Sequence, residues 1–401
     1  MINKNNIWTW LNMIGKSTPI LILTPFYEMY NSHEILLWSQ ILTFYSIILS
    51  LDLGVVQNCT RIMAYSKKSD VQLIKFKAIS TVYRNLSVII LTLGILYIYS
   101  GTGNKILFLI VLLSATITID NNKFISYLNG TTSFYISQRY QFLSLLLALS
   151  FSCFTFYLTN NIYYLYSFFT WPILFRLLIN KRKPTLLTES KNKVSKFKSK
   201  IYSDSWKTAI GVLFGGTFIQ IFFLYISQND VLPTTINAAS MLITLQLLRQ
   251  IIAFAQVPFM VELPQLAGLY KLLDSKFIKI AKKAIRNSII LYSIGVIVFV
   301  LTRNSPILSQ YFLNTVEADL LFWCLALGLL FDRFYNFILH LVTVTDEILW
   351  HVVNPINVLI FIFSFYIAGK SPLSLGLAFI IPSLILSLFL ITILKKRVVL
   401  R

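Results

Sequence analysis

Twelve mainly apolar stretches, separated by short polar connections, run the length of this sequence and constrain its fold more than any other feature. The hydrocarbon core of a bilayer, about 30 Å thick, is crossed by about 20 helical residues. Inside lipid, only helices and closed barrels satisfy every backbone donor and acceptor. On that ruler the stretches lie at 7–27, 35–60, 86–100, 105–120, 140–158, 161–179, 206–227, 236–261, 288–302, 319–342, 350–368 and 373–394. Of the 401 residues, 56% are hydrophobic and only 12% charged, which leaves too little polar surface for a soluble protein of this size. The expectation is an all-α integral membrane protein of about twelve transmembrane helices.

Charge then orients the spans. Lys and Arg number 35 against 15 Asp and Glu, a formal net charge of +20. The cations concentrate in 61–84 (RIMAYSKKSDVQLIKFKAISTVYR), 181–200 (KRKPTLLTESKNKVSKFKSK), 270–286 (YKLLDSKFIKIAKKAIR) and the tail KKRVVLR. The connections EMYNSHE, SGTGNK, TNN, QNDVLP and GKSP each hold at most one Lys or Arg, and the longer 303–318 connection carries a single Arg. Basic segments remain on the cytoplasmic side, so the alternation predicts a multi-pass membrane protein with both termini in the cytoplasm. The excess charge is read as facing membrane lipid, and no nucleic-acid partner is expected. Cys59, Cys153 and Cys324 lie far apart in apolar runs, and His33, His340 and His351 have no ligand spacing, so neither metal nor cofactor is expected. No cleavable leader is expected either, because polar residues after Met1 run directly into the first span.

The sequence also repeats. The second and eighth spans each lead into a basic amphipathic stretch that begins at an aspartate, DVQLIKFKAISTVYRN from Asp70 and DSKFIKIAKKAIRN from Asp274. Lys75 and Lys279 share an offset from those aspartates, and both stretches close on Arg-Asn, Arg84-Asn85 and Arg286-Asn287. Both are read as helices on the lipid surface. With six spans per half, the halves run parallel, related by an axis along the membrane normal. The expected organisation is a six-helix bundle at 1–180, a basic cytoplasmic linker at 181–203 and a second six-helix bundle at 204–401.

Charged groups inside spans point to function, because an unpaired one is unfavourable by several kcal/mol (about 2.5–3.5 by insertion scales). In the first span Thr9, Asn12, Lys16 and Pro19 share a face. In the second, Thr43, Ser46, Ser50, Gly54, Gln57 and Arg61 recur on one face, and Asp52 points away from it. In the eighth, Gln246, Arg249, Gln250 and Gln256 fall within an arc of roughly 120°. In the tenth, Asp332, Asn336 and His340 follow at intervals of four, with Arg333 adjacent. Lys16, Arg61, Arg249, Gln57, Gln246, Gln250 and Gln256 are therefore the candidates for a cationic or polar substrate surface. Asp52, Asp332 and Arg333 are read as structural or coupling charges, with Asp52 anchoring a bend at Leu53-Gly54. Plainer readings stand beside these: Asp332 and Arg333 neutralising one another, and Arg61 and Arg176 snorkelling to phosphate near the cytoplasmic ends.

With these residues in view, the chain resembles polysaccharide-unit flippases of the O-antigen type, in the multidrug/oligosaccharidyl-lipid/polysaccharide exporter superfamily. The second span, EILLWSQILTFYSIILSLDLGVVQNCTR, is similar to that family's aromatic-rich span closing on Asp-Leu-Gly and a basic residue. The eighth, LLRQIIAFAQVPFMVELPQLAGLYKLLD, is similar to its counterpart, with Pro264 before Leu266-Ala267 and a basic stretch beyond. The resemblance implies two six-helix bundles around a central cavity and alternating access. It implies an undecaprenyl-diphosphate-linked oligosaccharide as cargo, held by Lys16, Arg61 and Arg249 through charge-assisted hydrogen bonds. A polysaccharide polymerase and a chain-length regulator are the partners it implies. Two alternatives remain open: a multidrug exporter of the same fold, whose cationic ligands call for carboxylates and aromatic faces, and a membrane polymerase or ligase. The second calls for a large external loop with catalytic residues, whereas the longest external connection, 303–318, offers no catalytic pair. The expectation is a transporter and not an enzyme.

Overall fold

The computed structural model describes residues 4–30, 32–64, 69–100, 104–131, 134–180, 191–228, 238–271, 276–303, 320–344, 349–367 and 372–399. These are almost entirely helical, with no strand among them. The first span is broken: α1 (Lys4–Thr18) passes through a π-helical turn, Pro19–Leu23, into α2 (Thr24–Tyr30). The cause is Pro19, which has no N–H for the carbonyl of Gly15. The Thr18 hydroxyl donates to that carbonyl instead, at 2.7 Å. The second span is broken too, with α3 (Ser32–Ser50) and α4 (Val55–Ala64) separated by a turn in which Leu53 and Gly54 have φ of 57° and 70°.

Longer helices follow: α5 (Ser69–Ser100), α6 (Lys105–Thr131), α7 (Phe134–Thr159), a 3-10 segment Ile162–Thr170 started by an Asn161 side-chain cap, and α8 (Trp171–Ile179). Next come α9 (Lys191–Val212), a second π turn Leu213–Thr217 with Gly215 off helical geometry, and α10 (Phe218–Gln228). Helices α11 (Ala238–Ala255) and α12 (Val257–Lys271) are bent by 45° at Gln256, beside Pro258, which withholds an N–H from the preceding turn. The chain closes with α13 (Lys276–Arg303), α14 (Leu320–Val344), α15 (Trp350–Ile367) and α16 (Pro372–Val399).

Among the described residues nine helices are long and apolar enough to cross a membrane, and the bent α11–α12 pair makes a tenth. The two-piece first and second spans complete twelve. The basic stretches at 70–84 and 274–286, expected to lie on the lipid surface, differ from that expectation. Within the described residues they are the opening turns of α5 and α13, continuous with the spans that follow. Nothing in either stretch breaks a helix, so the apolar half extends into the basic half.

The chain divides into two compact units, Met1–Pro19 with Ile41–Leu213, and Ile20–Gln40 with Phe214–Arg401. These are drawn differently from the 1–180, 181–203 and 204–401 expected from sequence. Two of the unit boundaries, Pro19/Ile20 and Leu213/Phe214, fall at the π turns. Much of the expected linker is regular helix: α9 packs along α5 and α4.

In the first unit α1 lies on α7, with Gly15 against Leu145 and Phe142, and α5 lies on α6, with Gly94 against Leu112. Trp171 Nε1 donates to the Tyr45 hydroxyl at 2.9 Å within an aromatic cluster that includes Phe169. In the second unit Trp38 stacks on Tyr27 at 4.5 Å and donates to Thr24. Helices α14 and α16 approach closely at Gly328 and Gly376, where an added Cβ would lie 2.8 Å from Phe379 Cβ and 2.7 Å from Cys324 Cβ. Small residues of this kind bring helices together where lipid gives no hydrophobic drive. Phe222, Phe223, Phe361, Phe365 and Phe379 fill the neighbouring core.

Candidate functional site

Asp52 ends the break in the second span. Its Oδ2 accepts from the Val56 N–H at 3.2 Å, capping the first turn of α4, and its Oδ1 accepts from Asn122 Nδ2 of α6 at 2.9 Å. A capping carboxylate satisfies backbone donors that the interruption leaves open. Gly54 beside it is doubly required: φ is +70°, and a Cβ would come within 2.4 Å of Thr208 Cγ2 on α9. Gln57 and Arg61 lie on α4, but their side chains fall outside the described residues.

The polar stripe expected on the first span is divided. Asn12 is fully buried and donates to the side-chain oxygens of Gln138 and Gln141 on α7. Thr9 is buried, whereas Lys16 is exposed. A helical wheel groups these residues by angle alone; the position of α7 decides which of them are enclosed.

A network that the sequence pattern did not disclose joins α6 to α8. Asp120 pairs with Lys123 at 2.7 Å and with Arg176, whose Nε donates to Asn121 Oδ1 at 3.0 Å. Asn121 Nδ2 donates to the Pro172 carbonyl at 2.8 Å. Arg176 is thus held by α6. The available signal was Lys three residues after Asp in one helix, obscured by ending that span at residue 120.

The second unit assembles the larger group of predicted residues. Arg249, partly buried on α11, lies within electrostatic range of Asp332 and Arg333 on α14. Arg333 Nη1 donates at 2.9 Å to Gln256 Oε1 at the α11–α12 bend. The backbone hydrogen bonds Gln256 N to Ile252 O and Met260 N to Gln256 O persist across that bend, so Gln256 is held firmly where α11 turns. Asp332 Oδ2 accepts from Asn336 at 3.1 Å, and no direct salt bridge reaches Asp332 among the described residues. Arg333 Nε is buried without a hydrogen-bond partner. Gln246 is buried on α11 and Gln250 partly so. His340, on the same face as Asp332 by spacing, packs against the rings of Phe259 and Trp350. Tyr335 donates to Asn354 at 2.6 Å.

Two guanidinium groups and one carboxylate therefore meet within apolar helices, and the carboxylate is engaged by an amide instead of either cation. Uncompensated positive charge in such surroundings is unfavourable, and it is a ready receptor for an anion able to accept from an arginine fork.

No family model matches the sequence, and no curated protein matches it. Solved structures do match. An inward-facing multidrug resistance MATE family transporter of the MOP superfamily has a TM-score of 0.65 at 12% identity, covering 99% of this chain and 96% of that one. A MATE in complex with MaD5 has a TM-score of 0.69 at 12% identity, covering 99% and 95%. The lipid II flippase MurJ, in an inward closed conformation, has 0.62 at 17% identity, covering 98% and 89%. What they share with this chain is the fold. It is the twelve-helix, two-bundle fold of MOP-superfamily transporters, and the protein is a multi-pass membrane protein. These neighbours are transporters or flippases.

Proposed function

We propose that the protein is a flippase that carries an undecaprenyl-diphosphate-linked oligosaccharide, an O-antigen or similar surface-polysaccharide unit, across the bacterial cytoplasmic membrane by alternating access, with both termini in the cytoplasm. The observation that carries this reading is the pair Arg249 and Arg333 with the single carboxylate Asp332, and with Arg333 Nε left open. A diphosphate supplies two adjacent anionic acceptors for such donors, while the polyprenyl tail remains in lipid. Likeness of fold to a lipid II flippase supports the class of reaction. A polysaccharide polymerase and a chain-length regulator would receive the product.

Likeness to MATE transporters favours a second reading, a multidrug exporter. A cationic drug calls for available carboxylates, and Asp332 already accepts from Asn336. One experiment separates the two. The gene is deleted in its native host, lipid-linked oligosaccharide is measured on each face of the inner membrane and polymer at the surface, and wild type, Arg249→Ala and Arg333→Ala are returned. Single-unit intermediate trapped on the cytoplasmic face, with surface polymer lost and neither variant restoring it, is the expected result. Normal surface polymer with new sensitivity to cationic drugs would assign the exporter. Intermediate that reaches the outer face unpolymerised would assign a polymerase.

A further inference from the structure

Helix α9 extends well beyond its membrane-spanning portion. The apolar, bilayer-length part begins at Ser205 by composition, and residues 191–204 extend the helix before it by roughly 21 Å at 1.5 Å per residue. Residues 191–200 contain five lysines and no acid, and the whole helix carries six lysines against one carboxylate, Asp204. One side of α9 is committed to the fold. Ile201 and Ser205 are buried, Asn58 Nδ2 donates to Ser205 Oγ at 3.0 Å, and Thr208 closes on Gly54. Lys193, Lys196, Lys200 and Lys207 fall within an arc of about 60° on a different side, and all four are exposed. Tyr202 and Trp206 are 46% and 48% exposed on a third flank, with Lys198 Nζ over the Tyr202 ring at 5.8 Å and Lys207 Nζ over Trp206 at 5.7 Å.

Exposed Trp and Tyr beside Lys at the start of a span mark the depth of the lipid headgroups, since the rings prefer the interface and the ammonium groups reach for phosphate. The lysines above them are crowded by another cation. Lys75 of α5 lies over the Phe197 ring at 5.5 Å and feels the charge of Lys200.

We propose that the projecting end of α9 is a binding surface for anionic phospholipid headgroups of the leaflet it meets. The aromatic pair sets the depth, and Lys193, Lys196 and Lys200 supply the contacts. Lipid charge neutralises the lysines on the open side of α9 while its other side stays packed on α5 and α4. Nothing here depends on which cargo the protein carries.

The test uses the full-length protein in nanodiscs of phosphatidylcholine alone or with phosphatidylglycerol, reading retained lipid by native mass spectrometry and thermal unfolding in both. Wild type is expected to retain phosphatidylglycerol selectively, to melt higher in its presence and to lose both effects at high salt. The triple variant Lys193→Gln, Lys196→Gln, Lys200→Gln is expected to lose selectivity by about fivefold per lysine. The corresponding triple Arg variant is expected to keep it. Equal retention by wild type and the Gln variant, or retention indifferent to salt, would overturn the proposal. So would a result in which phosphatidylglycerol is unaffected and only polyprenyl diphosphate, doped into phosphatidylcholine discs, depends on the lysines. The surface would then serve cargo. Single Gln variants at Lys193, Lys196 and Lys200, each expected to lose part of the selectivity, keep the test decisive if the triple Gln variant folds poorly.

Discussion

Each compact unit holds a cluster of two cations and one carboxylate in its helices, and the two clusters dispose of that charge in opposite ways. In the first unit Asp120 is shared directly between Lys123 and Arg176, and Asn121 takes a further Arg176 donor, so the cluster is closed. In the second unit Asp332 accepts from Asn336, Arg333 donates to Gln256, and Arg333 Nε has no partner. The contrast is between charge paired directly within the first unit and charge in the second unit that, among the described residues, forms no direct ion pair. The helix breaks contrast in the same way. The break at 51–54 is locked by Asp52 and by Gly54 against Thr208, whereas at Gly215 an added Cβ would meet only the Asn354 amide, at 3.0 Å.

The largest effect is expected where charge is open. Arg249→Ala combined with Arg333→Ala should reduce flipping to background, at least about 100-fold from lost charge-assisted hydrogen bonds, with expression and melting temperature close to wild type. Cargo delivery to the outer face of proteoliposomes measures it. If the double variant instead fails to fold while transport per folded molecule persists, the open cluster is structural and the contrast between units collapses. Arg333→Lys sharpens the same point: it keeps the charge but loses the planar fork, and should recover only part of the activity.

Next in size is Gly54→Ala. A left-handed conformation and a clash with Thr208 should together destabilise by about 2–4 kcal/mol, read as a fall in the unfolding midpoint in detergent. Asp120→Asn follows. It leaves Lys123 and Arg176 without their carboxylate, and because all three side chains keep some exposure the expected loss is about 1–2 kcal/mol, with transport per folded molecule unchanged. Asp332→Asn is the matched change in the other unit. It removes the carboxylate that faces Arg249 and Arg333, so it should lower the unfolding midpoint while tightening anion binding and slowing release, seen as a lower Kd together with slower turnover. The smallest effect is expected from Gly215→Ala, about 1 kcal/mol or less, because the Asn354 amide can give way. Equal destabilisation at Gly54 and Gly215 would show that the two breaks are constrained alike.

The second-span stretch Leu-Asp-Leu-Gly shows how much could be read in advance. Gly54 after Asp52-Leu53 announced a bend, and Asp52 set off the polar face was legible as its anchoring carboxylate. The partner Asn122, about 70 residues away, was not. Arg249 and Arg333 stood out because cations are rare in such runs. Periodicity also put Lys16 on one stripe with Asn12, although α7 covers one and leaves the other exposed. The Asp120–Arg176 pair escaped notice because hydropathy places the end of a span where charge begins, whereas α6 continues eleven residues further.

By itself the sequence determined the solvent and the secondary structure. A chain 56% hydrophobic, cut into runs of bilayer length, must close its hydrogen bonds within helices. Only the tertiary structure decided which charges are satisfied. Whether an arginine meets a carboxylate or an amide depends on contacts between helices far apart in sequence, where separations of a few ångströms govern the electrostatic energy and local pattern carries no information about them.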